Sequence, residues 1–140
     1  MKLTDLEPQF IRYEEGIADK WHGKKLEDGS TQWGGFPVQM KRYVDTLADA
    51  QGVMFLCPLC FTKNNGSINT HQCEVTFSDR GVKNEDGVHN NLGLPVRWSV
   101  TGSCYDDLST QPSVLVQGGC GWHGFLTDGN VSILNNGIQS

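Results

Sequence analysis

Apolar and polar positions alternate with a period of two through much of this chain. His71, Cys73, Val75 and Phe77 fall on one side of an extended segment, with Gln72, Glu74 and Thr76 on the other. Val96, Trp98 and Val100 alternate with Arg97, Ser99 and Thr101. Residues 53–56 form a short, fully apolar run that leads straight into Cys57. Residues 113–117, after Pro112, and residues 10–13 read as further short strands. Residues 125–127 and 131–134 flank Asp128-Gly129-Asn130, a strong hairpin signal. The best helix candidate is residues 38–51, where Val44, Leu47 and Ala48 have i, i+3, i+4 spacing and Gly52 stands where a left-handed cap would fall. Residues 78–94 are rich in Gly, Asn and Asp and read as a long surface loop. The pattern predicts a β-rich fold, α+β only in a minor way: a small antiparallel sheet with one short helix.

A length of 140 residues suits one domain. Within it, residues 1–37 are polar, Gly-rich and punctuated by aromatics. They are expected to form an arm or long loop packed on a core made by residues 38–140. The net charge of −5 argues against non-specific binding to a phosphate backbone, which needs a concentrated positive field. No apolar run is long enough to span a bilayer, and the first residues lack the apolar stretch of a signal peptide. The expectation is a soluble protein made in the cytoplasm.

Five cysteines, an odd number, fit a disulfide framework poorly. Their spacing fits a metal site. Cys57-Pro58-Leu59-Cys60 and Cys120-Gly121-Trp122-His123 each place two candidate donors with two residues between them. In a tight turn that spacing lets both side chains converge on one ion. Glycines around the second pair permit the positive φ angles such a turn requires. Cys57, Cys60, Cys120 and His123 together make a tetrahedral Cys₃His set suited to Zn²⁺, with Fe²⁺ able to enter during expression. Four ligands predict a closed, structural site rather than a catalytic one with an open position. The H-x-E and H-E-x-x-H signatures of zinc enzymes are absent. A Cys-x-x-Cys redox site is the other reading of the first pair. It belongs at a helix N-terminus in a βαβ setting, which the surrounding β pattern and Pro58 do not supply.

His71 and Trp122 are candidates for residues beside the metal or on a functional surface. The plainer reading of His71 is a hydrogen-bonded histidine at a strand start. Cys73 and Cys104 read as small apolar side chains, with Cys104 in a loop able to expose it. Lys20, Trp21, Lys24 and Lys25, with Lys41 and Arg42, are the one place where basic and aromatic residues interleave, as single-stranded nucleic-acid binders require. Glu27 and Asp28 lie beside them and count against that use.

The order of motifs carries a resemblance. Residues 44–61 with Cys-Pro-Leu-Cys, then Thr70-His71, Trp98-Ser99-Val100-Thr101-Gly102, Pro112-Ser113-Val114 and Gly119-Cys120-Gly121-Trp122-His123 resemble a phage and prophage family of small zinc-binding proteins. Members are sometimes labelled phage ammonia-monooxygenase-like. The resemblance covers roughly residues 44–134. Gly124 departs from it, since relatives often carry Phe there. It implies a viral origin and a zinc-ribbon-like domain. The monooxygenase label does not suit this chain, which has no membrane segment and no histidine-rich copper site.

The expected function is a phage-encoded interaction module with one structural zinc, modulating a host protein in the host cytoplasm or serving as a small virion component. A zinc-dependent hydrolase and a single-stranded nucleic-acid binder are the alternatives.

Overall fold

The computed structural model describes residues 1–17, 24–25, 27–28, 31–32, 37–116 and 120–134. A 3-10 turn at Leu3–Leu6 precedes β1 (Gln9–Ile17). The short strands β2 (Lys24–Lys25) and β3 (Thr31–Gln32) follow, then β4 (Pro37–Val44), β5 (Gly52–Leu56), α1 (Pro58–Asn64), β6 (Gln72–Thr76) and β7 (Ser99–Thr101). A second 3-10 turn at Tyr105–Asp107 leads to β8 (Ser109–Gln111), β9 (Val114–Leu115), β10 (His123–Gly124), β11 (Leu126–Thr127) and β12 (Asn130–Val131). Among the described residues the fold is therefore β-rich, made mostly of small antiparallel sheets with one short α-helix.

The largest sheet has the order β4-β1-β5-β6, with every neighbour antiparallel. The remaining strands pair as β7 with β8, β9 with β10, β11 with β12 and β2 with β3. Two sequence expectations change here. Residues 38–44 are a strand, since β4 pairs along its whole length with β1 and β1 supplies the hydrogen bonds a helix would have made internally. The helical spacing arose from the turn that follows. Asp49 and Ala50 donate to the carbonyls of Thr46 and Leu47 three residues back, which buries Val44, Leu47 and Ala50 together and leaves Ala48 exposed.

Nor are residues 1–17 an arm. β1 lies inside the sheet between β4 and β5, and Phe10 and Ile11 are buried. Ahead of it, Leu3 and Leu6 are fully buried, the Leu3 amide donates to the Gly129 carbonyl and the Val131 amide donates to that of Met1. The opening residues are thus laced to the hairpin of β11 and β12. That hairpin turns as its sequence predicts: Asp128 and Gly129 both adopt positive φ, 47° and 73°, as a two-residue type I′ turn requires.

The β6 alternation holds on its apolar side, where Cys73, Val75 and Phe77 are buried. On the other side Thr76 is buried too, within a polar network. The Tyr13 hydroxyl donates to Glu74 Oε2 at 2.6 Å and lies 2.8 Å from Thr76 Oγ1, and Lys41 pairs with the same carboxylate. Burial first, and then the Glu74 charge, push the Tyr13 phenol well above its ordinary value. Tyr13→Phe is therefore expected to cost about 1.5–3 kcal/mol, the range for a hydrogen bond to a charged group. Urea denaturation would measure it, and a loss below about 0.5 kcal/mol would show that the network is solvated.

Candidate metal centre

Strand β5 ends at Leu56, and Cys57 forms the N-cap of α1, with Pro58 at the first helical position, where its missing amide costs nothing. The helix runs for two turns and stops at Asn65, which takes a left-handed conformation (φ 58°) and donates back to the carbonyls of Phe61 and Thr62. The chain then returns as β6, antiparallel to β5. The Cys57 amide donates to the His71 carbonyl at 2.8 Å, extending the β5–β6 ladder by one pair. His71 is thereby held directly opposite Cys57. Contrary to the sequence reading, the first cysteine pair does begin a helix. Its setting is nonetheless an antiparallel hairpin and not a βαβ unit.

Cys57, Cys60, His71 and Cys120 converge, with one donor atom from each lying within 4.8 Å of all the others. Cys57 Sγ is 3.4 Å from Cys120 Sγ, and His71 Nε2 is 3.3 Å from Cys120 Sγ. His71 Nδ1 lies 3.2 Å from the Gln72 carbonyl oxygen. A proton on Nδ1 donated there leaves the Nε2 lone pair facing the sulfurs, the arrangement by which outer partners orient metal-binding histidines. Cys57 is fully buried, Cys60 and Cys120 are half-buried, and His71 is exposed.

The group favours negative charge at one sulfur in particular. Cys57 is held well below the ordinary thiol range, chiefly by a hydrogen bond from the Cys73 thiol and, against the cost of burial, by the backbone amides of Cys60 and Leu59. Cys73 is correspondingly pushed up, first by that bond and then by burial. Burial, followed by the neighbouring sulfurs, raises Cys60. A cation placed among these donors would offset both the burial and the repulsion that raise Cys60, so the set can hold a metal ion.

His123, expected as the fourth donor, is not in this group. The chain turns sharply at Gly121 (φ 68°), and Trp122 then enters the core. His123 is drawn into the β9–β10 ladder opposite Leu115, where its Nε2 lies 2.9 Å from Ser113 Oγ and its carbonyl accepts from the Leu134 amide. The histidine comes instead from the strand that faces the first cysteine pair. The period-two register signals this: pairing Gly52 with Thr76 sets Leu56 against Gln72 and leaves Cys57 facing His71.

The other candidates fall elsewhere. Trp122 is fully buried, meets Phe55 edge-on at 5.9 Å and donates from Nε1 to the Ser132 carbonyl, so it anchors the core and is not a surface residue. Trp98 is also buried. Cys104 is exposed, and Asp107 accepts from the Ser103 and Cys104 amides, which hold its carboxyl below the usual range. Lys20, Trp21 and Trp33 lie outside the described residues. Lys24 and Lys25 form β2, while Lys41 and Arg42 pair with Glu74 and Glu14, so those two cations serve the sheet.

A cleft of about 370 Å³ opens beside His71, lined by residues 71–74, 88–91 and 113–116 with Val96 and Trp98. Among the described residues no helix is long and apolar enough to cross a membrane. Fold and site together define a β-rich domain with a three-cysteine, one-histidine group able to hold a metal ion. Comparison with family models, with curated proteins and with solved structures finds no match.

Proposed function

We propose that this chain is a phage-encoded interaction module in which one structural zinc, held by Cys57, Cys60, His71 and Cys120, fixes a binding surface, with no catalysis of its own. The observation that carries the reading is the donor set itself. Three thiolates and one imidazole favour zinc over harder ions. In a tetrahedral site with Zn–S bonds of about 2.3 Å, the sulfurs stand about 3.8 Å apart. The donors here, all within 4.8 Å, need shift only slightly to reach that spacing. The same span suits one ion. Four protein donors complete the tetrahedron and leave no position for a substrate or an attacking water. The viral origin rests on the order of the sequence motifs, and it makes the partner a host protein or another virion component.

Metal analysis of protein purified under reducing conditions tests this reading, and about one zinc per chain is the expected result. His71→Ala is expected to weaken zinc binding by more than the roughly 10–100-fold that losing an outer partner costs. His123→Ala should leave affinity within a few-fold of the parent. Competition against a chromophoric chelator reads both. Metal-free protein would overturn the proposal, and the reverse ranking of the two variants would overturn the ligand assignment.

A further inference from the structure

The cleft beside the metal centre has an unusual wall. A cavity lying on one face of a strand is lined by alternate residues, because successive side chains point to opposite faces. Here four consecutive residues, 71–74, line it together with four more, 113–116, and with residues 88–91 of the long loop. The cleft therefore runs between two strand edges, not across a face.

The ladders say which main-chain groups line it. The Cys57 amide bonds the His71 carbonyl and the Phe77 amide bonds that of Gln51, so the odd residues of this strand bond to β5. The amides of Gln72 and Glu74 and the Glu74 carbonyl then point away from β5, into the cleft, while the Gln72 carbonyl lies 3.2 Å from His71 Nδ1. Across from them the Val116 amide bonds the Trp122 carbonyl, which makes Val114 and Val116 the residues bonded to β10 and turns the main chain of Leu115 outward. At one end Trp98 spans both edges: its amide donates to the Thr76 carbonyl at 2.9 Å, and its indole Nε1 donates to the Ser113 carbonyl at 3.2 Å. The chain thus already adds a one-residue parallel bridge to β6 at this point, Phe77 against Trp98. Beyond Trp98, towards His71, β6 is the terminal strand of its sheet among the described residues.

We propose that the cleft takes an extended peptide segment of a partner protein as an added strand, continuing from Trp98 along β6 towards the metal-binding histidine. This deepens the interaction-module reading and rests on it. The volume falls within the roughly 300–1,000 Å³ of ligand clefts. Main-chain bonds to Gln72, Glu74 and Leu115 supply affinity, and alternate side chains of the segment meet Val88, Val96 and Val114. The positions between them face water. With a net charge of −5 on this chain, the segment is apolar at alternate positions and neutral or basic between them.

The probe is a fluorescein-labelled hexapeptide, Lys-Val-Thr-Val-Thr-Val, blocked at its C-terminus, titrated by anisotropy against protein of measured zinc content. A second peptide of the same sequence carries N-methyl groups on the residues whose amides would meet the edge. Saturable binding is expected for the first, with at least roughly tenfold weaker binding for the second, the loss of two or so main-chain hydrogen bonds. Val88→Lys should weaken the first by a similar factor while leaving zinc content and melting temperature near those of the parent. Hydrogen exchange should slow at the amides of Gln72, Glu74 and Leu115 on binding. Equal binding of both peptides, or no binding by protein carrying one zinc per chain, overturns strand addition and leaves the metal-module reading standing. Absence of zinc overturns the module reading itself, by a separate measurement.

Discussion

Cys57→Ser is expected to abolish zinc retention and lower the melting temperature by roughly 10 °C or more, because Cys57 is the donor on which the rest of the site turns. It is fully buried at the N-cap of α1, it lies 3.4 Å from Cys120, and it is the sulfur on which the site concentrates negative charge. A ligand present at about 1,000 times its Kd stabilises the folded state by about 4 kcal/mol. In a domain of this length each kcal/mol moves the melting temperature by a few degrees. The loss is partial, because the core of Phe10, Phe55, Val75, Phe77 and Trp122 is buried independently of the metal. A calorimetric scan of the parent with a strong chelator should reproduce the variant's transition. Coincidence of the untreated parent and Cys57→Ser would show that the site contributes nothing to the fold.

Gly124→Ala is the second substitution with a large expected effect. A Cβ at this position would overlap the Ser132 carbonyl oxygen and stand 2.9 Å from both the Ser132 carbonyl carbon and Trp122 Nε1. That carbonyl accepts the Trp122 indole hydrogen bond, so it cannot retreat without breaking the contact that seats the largest core side chain. Two of the three obstructing atoms are backbone, so the cost is expected at the upper end of the roughly 1–3 kcal/mol typical of overpacking. Trp122→Ala, which leaves a cavity, should cost a comparable 3–5 kcal/mol. Urea denaturation followed by tryptophan fluorescence compares Gly124→Ala with the parent, and a difference under about 1 kcal/mol would mean that the β10 backbone gives way easily. The contact also accounts for the Gly at this position. With Ser132 placed as it is, no side chain fits.

The features legible in the sequence were those with local causes. Period-two alternation located β6 and the strand around Val100, and Asp128-Gly129 fixed the last hairpin through backbone conformation alone. Cys57, Cys60 and Cys120 were legible as donors from their type and spacing. The misreadings came from long-range partners. Pro37–Val44 is a strand because β1 lies beside it, and nothing within that segment announces the pairing. Pro58, read in the sequence as evidence against a helix start, stands at the first helical position, where its missing amide costs nothing. His123 lies outside the donor group for a related reason. Cys-x-x-His spacing describes what a turn permits, whereas the β9–β10 pairing decides where the histidine goes. His71 sat on the correct strand, but its role depends on a cross-strand register that sequence spacing does not display.

The four donors are unevenly distributed along the chain, and this bears on the order of assembly. Cys57, Cys60 and His71 belong to one hairpin, while Cys57 and Cys120 are 63 positions apart. Contacts within the hairpin close short loops and form early, whereas bringing in Cys120 closes a loop whose entropy cost is about 4 kcal/mol. Three donors are therefore gathered while the fourth is still distant. Recruiting Cys120 closes the longest of these loops, so an ion held by this group would act as a latch set late in folding rather than as the seed from which folding begins.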